Sequence, residues 1–447
     1  MAPQNEERAA RLRAQANDPS FENVWQELRW RGLVHVSTDE AALEQALAGE
    51  PVSYYCGFDP TAPSLHLGHL VQLLTLRRLQ LAGHRPYALV GGATGLIGDP
   101  RQTSERVLNS QETVAAWVES LRAQIEPYLS FEGENAATMV NNLDWTAGMS
   151  ALDFLRDVGK NFRVGTMVKK EIVAKRLNSD EGISYTEFSY QVLQGNDFLE
   201  LHRRHGVTLQ TGGSDQWGNL TAGTELIRKV EGTHAHALGT PLITNADGTK
   251  FGKSEGNAVW LDAEMCSPYA FYQFWLNTAD ADVVDRLKVF TFLTRAEIEE
   301  YAQKVADEPF RREAQRRLAW EVTALAHGEE TTTKVIEASQ AVFGGGDLTT
   351  VDPDTLTAVL AELPQADRTQ WEGEPGTVTA VELLVSTGLV ASRSEARRTV
   401  RDGGASVNNV RVTDADQVFT RDDALAGRHL LVRRGKKNMA GADLGEG

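Results

Sequence analysis

The stretch from Ser53 to Gly83, SYYCGFDPTAPSLHLGHLVQLLTLRRLQLAG, decides how this chain folds. Its opening residues are rich in aromatics and predict a strand that breaks at Gly57 and turns through Asp59-Pro60-Thr61-Ala62-Pro63. An apolar run follows and predicts a helix whose first turn carries His66, Gly68 and His69. A helix N-terminus presents unpaired N–H groups and partial positive charge, so the unit predicts a nucleotide-phosphate site. Imidazoles three residues apart share one face of that turn, and Gly68 leaves the backbone open to a ligand.

Working outward, Arg85-Pro86 leads into YALVGG, a second buried strand of a parallel βαβ unit. A glycine-rich loop follows from Gly91 to Arg106 and contains Asp99. Taken alone, such a loop is more often a tight crossover with a capping aspartate than a binding loop. From Ser110 to about Lys175 the pattern is mostly helical, broken by the short apolar run Thr138 to Val140. The segment TEFSYQVLQGNDFLELH, Thr186 to His202, then predicts a helix with an unusual face. Tyr190, Gln194 and Asp197 fall within about 60° of one another on a helical wheel. A solvent-facing stripe normally carries Lys and Glu, so a tyrosine, an amide and a carboxylate in line suggest a ligand-lining face.

Val207 to Gln210 is a further strand candidate, and TGGSDQWGN after it offers a close turn with Ser214 or Asp215 as a helix cap. Three polar loops (59–69, 91–106 and 212–219) thus follow strands, where open α/β sheets bind ligands, and point to one crevice. Downstream, PLITNADGTKFGKSEGNAVWLD places Lys250, Lys253 and Ser254 among Gly248, Gly252 and Gly256. Lysines on such a loop can swing onto a polyphosphate and stabilise charge that develops during reaction.

With 447 residues, 41% of them hydrophobic and 24% charged, the chain has the composition of a multidomain soluble protein. No stretch is apolar enough for a bilayer span or signal peptide, and the expected compartment is the cytoplasm. Cys56 and Cys266 are too few for a disulfide framework or a thiolate zinc site. The net charge of −17 hides an asymmetry, because residues 375–447 carry 11 basic and 9 acidic side chains against 34 and 53 in the remainder. Within that basic end, Arg393, Arg397, Arg398 and Arg401 recur at helical spacing and form a ridge suited to a phosphate backbone. The same segment predicts two short helices, a glycine turn at Gly403-Gly404 and a hairpin around Asn408-Asn409.

The motifs together resemble the bacterial-type tyrosyl-tRNA synthetases, a class I family. His66-Leu67-Gly68-His69 matches the HIGH motif and Lys250-Phe251-Gly252-Lys253-Ser254 the KMSKS-type loop. The strings YCGFDPTAPSLHLGHL, TEFSYQVLQGNDF and GGSDQWGN are more specific, and the resemblance runs from Trp25 to about Lys437. It implies that tyrosine is activated with ATP, accompanied by Mg2+, to tyrosyl-adenylate and then transferred to tRNA(Tyr), with no protein-bound metal. Thr61 and His66 would meet the γ-phosphate and His69 the ribose region, while Lys250 and Lys253 stabilise the departing pyrophosphate beside the mobile-loop Arg106. Cys56, Gly57, Asp59, Gly68, Gly213, Asp215 and Ser254 would line the ATP side. Tyr55 and Asp197 would meet the substrate phenol, with Asp99, Tyr190, Gln194 and Gln216 around its amino and carboxylate groups. One departure is Arg101-Gln102-Thr103, where many members carry Ser-Gly-Lys. A tryptophan-specific relative and a catalytically dispensable RNA-binding paralogue are the competing readings.

The implied architecture is α/β. A Rossmann-type catalytic domain spans 1–245 with a helical insertion near 120–185, and the lysine loop and connection span 246–268. A helical anticodon-side domain (269–345), a linker (346–375), an α+β RNA-binding domain (376–437) and a disordered tail (438–447) follow. The family is homodimeric, and the insertion would form much of that interface.

Overall fold

A computed structural model describes residues 3–100, 108–246, 248–249, 251–254, 257–374, 376–435 and 438–445. Contacts divide the chain into two compact units, Met1–Met265 with Leu276–Val322, and Cys266–Trp275 with Thr323–Gly447. The helical stretch expected at 269–345 is therefore shared between the units, unlike the division read from the sequence.

The first unit is built on a six-stranded sheet of β1 (Val36–Ser37), β2 (Ser53–Phe58), β3 (Arg85–Val90), β4 (Thr138–Asn141), β5 (Leu209–Gly213) and β6 (His236–Thr240). Their order is β1-β6-β5-β2-β3-β4, all parallel except the antiparallel edge strand β1. The chain leaves β2 toward β3 and β4, then returns to the other side of β2 as β5 and β6. This reversal is the topological switch point, and it opens a crevice at the C-terminal ends of β2 and β5. β4 lies inside the stretch expected as a helical insertion; its partner is β3, with Tyr87 opposite Thr138.

Burial on both faces explains the composition of β2, where Tyr54, Tyr55, Cys56 and Phe58 are all buried. The Tyr54 hydroxyl donates to the carbonyl of Leu76 in α1 (Leu67–Leu81), which fixes helix against strand. Arg78 of α1 is also buried, donating to the Leu74 and Thr291 carbonyls. A Cβ at Gly91 would lie 2.1 Å from Asp59 Oδ1 and 2.3 Å from Thr94 Oγ1, so any other residue there must displace these side chains.

The remaining helices that frame the crevice are α2 (Gln111–Ile125), α3 (Tyr185–His205) and α4 (Trp217–Glu231). Neither Ser214 nor Asp215 caps α4; a short 3-10 turn, Ser214–Gln216, carries the chain into it instead. Beyond it the two-residue strands β7 (Lys253–Ser254) and β8 (Asn257–Ala258) pair antiparallel, and α5 (Asp280–Phe290) completes the elements used below.

The second unit ends in the α+β domain expected from the sequence. It comprises β9 (Val378–Thr379), α6 (Ala380–Ser386), α7 (Arg393–Arg401), β10 (Ala405–Val407), β11 (Val410–Arg411), β12 (Val418–Phe419), β13 (His429–Arg434) and β14 (Asn438–Asp443). Asn408 and Asn409 have φ of 50° and 64°, the two left-handed positions of a type I′ hairpin between β10 and β11. Two expectations are corrected. Residues 346–375 are not a plain connector, since helix Pro353–Ala361 buries Leu356, Val359 and Leu360. Nor are residues 438–445 of the expected tail disordered, because β14 pairs along its whole length with β13 and buries Ala440 and Ala442, with Leu444 buried just beyond. Small apolar residues at every second position suit a strand that packs against a core.

Candidate active site

At the inner end of the crevice, Asp197 of α3 is buried and both its oxygens are occupied. Asn142 Nδ2 donates to Oδ2 at 2.9 Å and Trp145 Nε1 to Oδ1 at 2.8 Å. Burial pushes this carboxyl up from 3.8 to about 7, against the two hydrogen bonds that favour its charged form. Among the described residues the buried Tyr55 hydroxyl has no hydrogen-bond partner, and burial followed by the charge of Asp197 raises its pKa well above the usual value. Phe198, beside Asp197, meets the Tyr55 ring edge-on at 5.2 Å. On the neighbouring strand Gln210 stands in register with Tyr55, and among the described residues its buried Oε1 also lacks a partner, as does Gln194 Oε1 on α3. Unsatisfied buried polar atoms cost about 1–3 kcal/mol each, so their concentration here is the mark of a polar ligand's place.

Closer to the strand ends, Asp59 accepts from the Tyr190 hydroxyl at 2.6 Å and from Thr94 Oγ1 at 2.7 Å. Asp99 accepts from Gln216 Nε2 at 3.1 Å and Asn219 Nδ2 at 3.2 Å. Thus the three loops do meet, and the α3 stripe of Tyr190, Gln194 and Asp197 faces them. Beside Asp99 lies Lys170, which burial lowers from 10.5 to about 8 against the raising effect of that carboxylate. A cleft of about 590 Å3 opens here, lined by Asp99, Lys170, Phe188, Gln191 and Trp217 among others. Tyr55 and Asp197 are buried and do not line this cleft.

At the outer wall, His66 is the N-cap of α1. Its Nδ1 accepts from the Gly68 N–H at 3.0 Å, and His69 Nδ1 accepts from the His66 N–H at 3.2 Å. The rings stack at 3.9 Å. A Cβ at Gly68 would lie 2.9 Å from His66 Cε1, so this glycine makes room for the capping ring as well as for a ligand. Burial lowers both imidazoles, His69 the more strongly, and keeps them neutral near pH 7. Since each Nδ1 accepts, each Nε2 carries the proton and remains as a donor.

The chain leading to the lysine loop runs alongside this cap. Val259 O accepts from the Leu67 N–H at 3.3 Å, Val259 N donates to Gly252 O at 2.9 Å, and His66 and Trp260 form a β-bridge. Lys253 and Ser254 stand in β7, whereas Lys250, Arg101 and Arg106 lie outside the described residues. Thr61 is exposed in the turn, its N–H bonded to Asp59 O. Cys56 is buried in β2, with its thiol pushed up to about 12, and Gly57 follows it at the strand end. Gly213 ends β5 beneath Asp215, whose Oδ1 would be 2.4 Å from a Cβ there. Asn142, Trp145, Gln210, Thr94, Asn219 and Lys170 were not read from the sequence; only Gln210, an amide in a buried strand, left a local signal.

In the second unit the arginine ridge is exposed but largely paired. Arg393 meets Glu372 at 2.8 Å, Arg397 meets Asp416 at 2.9 and 2.6 Å, and Arg401 lies 3.5 Å from Asp402. Exposed pairs of this kind are worth about 0–1 kcal/mol, so they do not hold the arginines against a polyanion.

A family described as tRNA synthetases class I (W and Y) matches residues 47–344, and a tyrosine–tRNA ligase SYY-like C-terminal domain matches 359–440. The chain is 68% identical to the tyrosine–tRNA ligase of Leifsonia xyli, covering 98% of this chain and 97% of that one. It is 62% identical to the tyrosine–tRNA ligase of Streptomyces avermitilis, over 94% and 99% of the two chains. Among solved structures it is similar to a C-terminally truncated mitochondrial tyrosyl-tRNA synthetase of Coccidioides posadasii, at 30% identity and a TM-score of 0.63, over 75% of this chain and 94% of that one.

Proposed function

The chain belongs to the bacterial-type class I tyrosyl-tRNA synthetases, and from that premise we propose how its crevice divides their work among the residues described above. The protein activates L-tyrosine with ATP to tyrosyl-adenylate and pyrophosphate, then transfers tyrosine to the 3′ end of tRNA(Tyr).

In the first step an oxygen of the tyrosine carboxylate attacks the α-phosphorus, and the bond to the β-phosphate oxygen breaks. Pyrophosphate leaves with the electron pair. No enzyme nucleophile is needed, so catalysis is positioning and charge stabilisation. Tyr55 donates to the phenol oxygen and ionised Asp197 accepts the phenol proton. Asp99 and Gln216 hold the ammonium end, with Tyr190 and Gln194 between. The Nε2–H donors of His66 and His69 contact the triphosphate and ribose, Thr61 adds a hydroxyl, and Lys250, Lys253 and Arg106 stabilise the leaving pyrophosphate. Mg2+ arrives with ATP as part of the substrate. In the second step a ribose hydroxyl of the tRNA attacks the tyrosyl carbonyl and AMP leaves.

The observation that carries tyrosine specificity is the buried, unpartnered Tyr55 hydroxyl beside a carboxylate fixed by Asn142 and Trp145. A substrate without the phenol hydroxyl leaves these groups unpaired. ATP–pyrophosphate exchange with tyrosine, phenylalanine and tryptophan tests this: only tyrosine supports exchange, and a tryptophan-dependent signal of similar size would overturn it.

Arg393, Arg397, Arg398 and Arg401 contact the tRNA backbone. The protein works as a homodimer in the cytoplasm; the exposed Leu152, Leu155 and Val164, at 79%, 51% and 62%, support a partner surface on the 120–185 region. Among the described residues no helix is long and apolar enough to cross a membrane. Sedimentation of the wild type and of Leu152→Asp tests the dimer.

A further inference from the structure

Helix α5 is fastened at one end to α1 and at the other to the chain that enters the lysine loop. At its C-terminal end the buried Arg31 donates to the carbonyls of Lys288 at 2.9 Å and Leu293 at 2.8 Å. Arg78 of α1 donates to Thr291 O and lies 4.6 Å from the Phe292 ring centroid. Just past its midpoint, Arg286 donates Nη2 to Thr244 O at 2.6 Å, and its guanidinium sits 4.5 Å from the centroid of Phe251. Phe290, one turn on, meets the same ring at 5.5 Å. Asp282 Oδ1 accepts from the Ala246 N–H at 3.0 Å and lies 3.5 Å from Arg286. The Arg286 side chain is 6% exposed, so its contacts are made away from water, where a cation over an aromatic face is strongest.

Phe251 stands between Lys250 and Lys253 in sequence, and its neighbour Gly252 is tied through Val259 to the start of α1. Phe251 and Gly252 are therefore held from two directions, by α5 through the clamp and by α1 through Val259. A lysine reaches its target on a flexible four-carbon stem, so the place of its backbone limits where its charge can be delivered. A misplacement of about 1 Å can cost about a hundredfold in rate.

We propose that Arg286 is a positioning residue for adenylate formation, which clamps Phe251 and thereby, through Gly252, sets where the backbone of Lys253 stands. The proposal rests on the reading that Lys250 and Lys253 stabilise the leaving pyrophosphate. The test is a rapid-mixing measurement of tyrosyl-adenylate formation, with tyrosine affinity and melting temperature measured alongside, for Arg286→Ala, Arg286→Lys, Phe251→Leu and the Arg286→Ala/Phe251→Leu double variant. Arg286→Ala lowers the adenylate rate about 5- to 30-fold with tyrosine affinity unchanged, about 1–2 kcal/mol of transition-state stabilisation at about 1.4 kcal/mol per tenfold. Arg286→Lys restores part of the rate, and the double variant is no slower than the slower single one. A wild-type rate in Arg286→Ala, or effects that multiply in the double variant, overturns the proposal. If loss of a buried arginine unfolds the protein, Phe251→Leu, which keeps the apolar bulk and removes the aromatic face, carries the test by the same rate criterion. Lys253→Ala separates the two levels: if it slows the step and the clamp variants do not, the clamp alone is wrong. If Lys253→Ala has no effect, the catalytic reading of the loop and the clamp fall together.

Discussion

Tyrosine binding should weaken in acid because of one carboxyl group. Asp197 has its pKa raised from 3.8 to about 7 by burial, so an empty site holds a proton there at mildly acid pH. The substrate phenol needs the ionised form as acceptor, and binding must then expel that proton. The expected apparent Kd rises about 10-fold from pH 8 to pH 6 and about 100-fold by pH 5, one decade per pH unit below the midpoint. The stability of the empty fold follows the same equilibrium with the opposite sign. A raised carboxyl contributes stability that is fully present below its ordinary 3.8 and is lost as pH rises through about 7. Lys170, lowered to about 8, titrates at the alkaline edge and leaves the acid limb to Asp197. Equilibrium dialysis of labelled tyrosine without ATP, between pH 5 and 8, gives the limb directly. Asp197→Asn should flatten it while weakening binding at pH 8. A wild-type Kd that is constant across this range would refute the reasoning, since it would mean that the empty site keeps its carboxylate charged.

Trp145→Phe removes one of the two donors on Asp197; tyrosine KM should rise about 5- to 10-fold at pH 7.5 with ATP KM unchanged, and the acid limb should move to higher pH. Gly91→Ala must displace the Asp59 carboxylate and break its bonds to Thr94 and Tyr190; chemical denaturation should show about 2–3 kcal/mol lost, and adenylate formation should nearly stop. Arg398→Glu should leave pyrophosphate exchange intact and lower kcat/KM for tRNA about 5- to 30-fold, with a shallower salt dependence. Equal loss in both assays would make that arginine structural.

The crevice was legible because its parts are local. A strand, a Pro-rich turn and a helix opened by HLGH can be read from thirty-odd consecutive residues, and the Tyr190–Gln194–Asp197 stripe follows from helical period alone. Asn142 and Trp145 were not legible, because their value depends on β4 lying beside β3. Strand order is set by the whole sheet, and nothing around Asn142 announces that an aspartate more than fifty residues later needs its amide. The end of the chain failed for a related reason. NMAGAD looks like linker until β13 supplies six partners, after which its alternating alanines make a buried strand edge.

The reciprocal cap at the start of α1 has a consequence for how damage to this protein can be interpreted. His66 and His69 spend their Nδ1 atoms on closing the helix and leave only Nε2 for the nucleotide proposed to bind there, so on that reading the same two side chains are scaffold and reagent. A substitution at His66 by alanine removes both at once, and lost turnover then mixes a frayed helix with missing chemistry. Asparagine, a good helix-capping residue without an imidazole, pulls the two debts apart. The site thus carries its own control experiment at position 66.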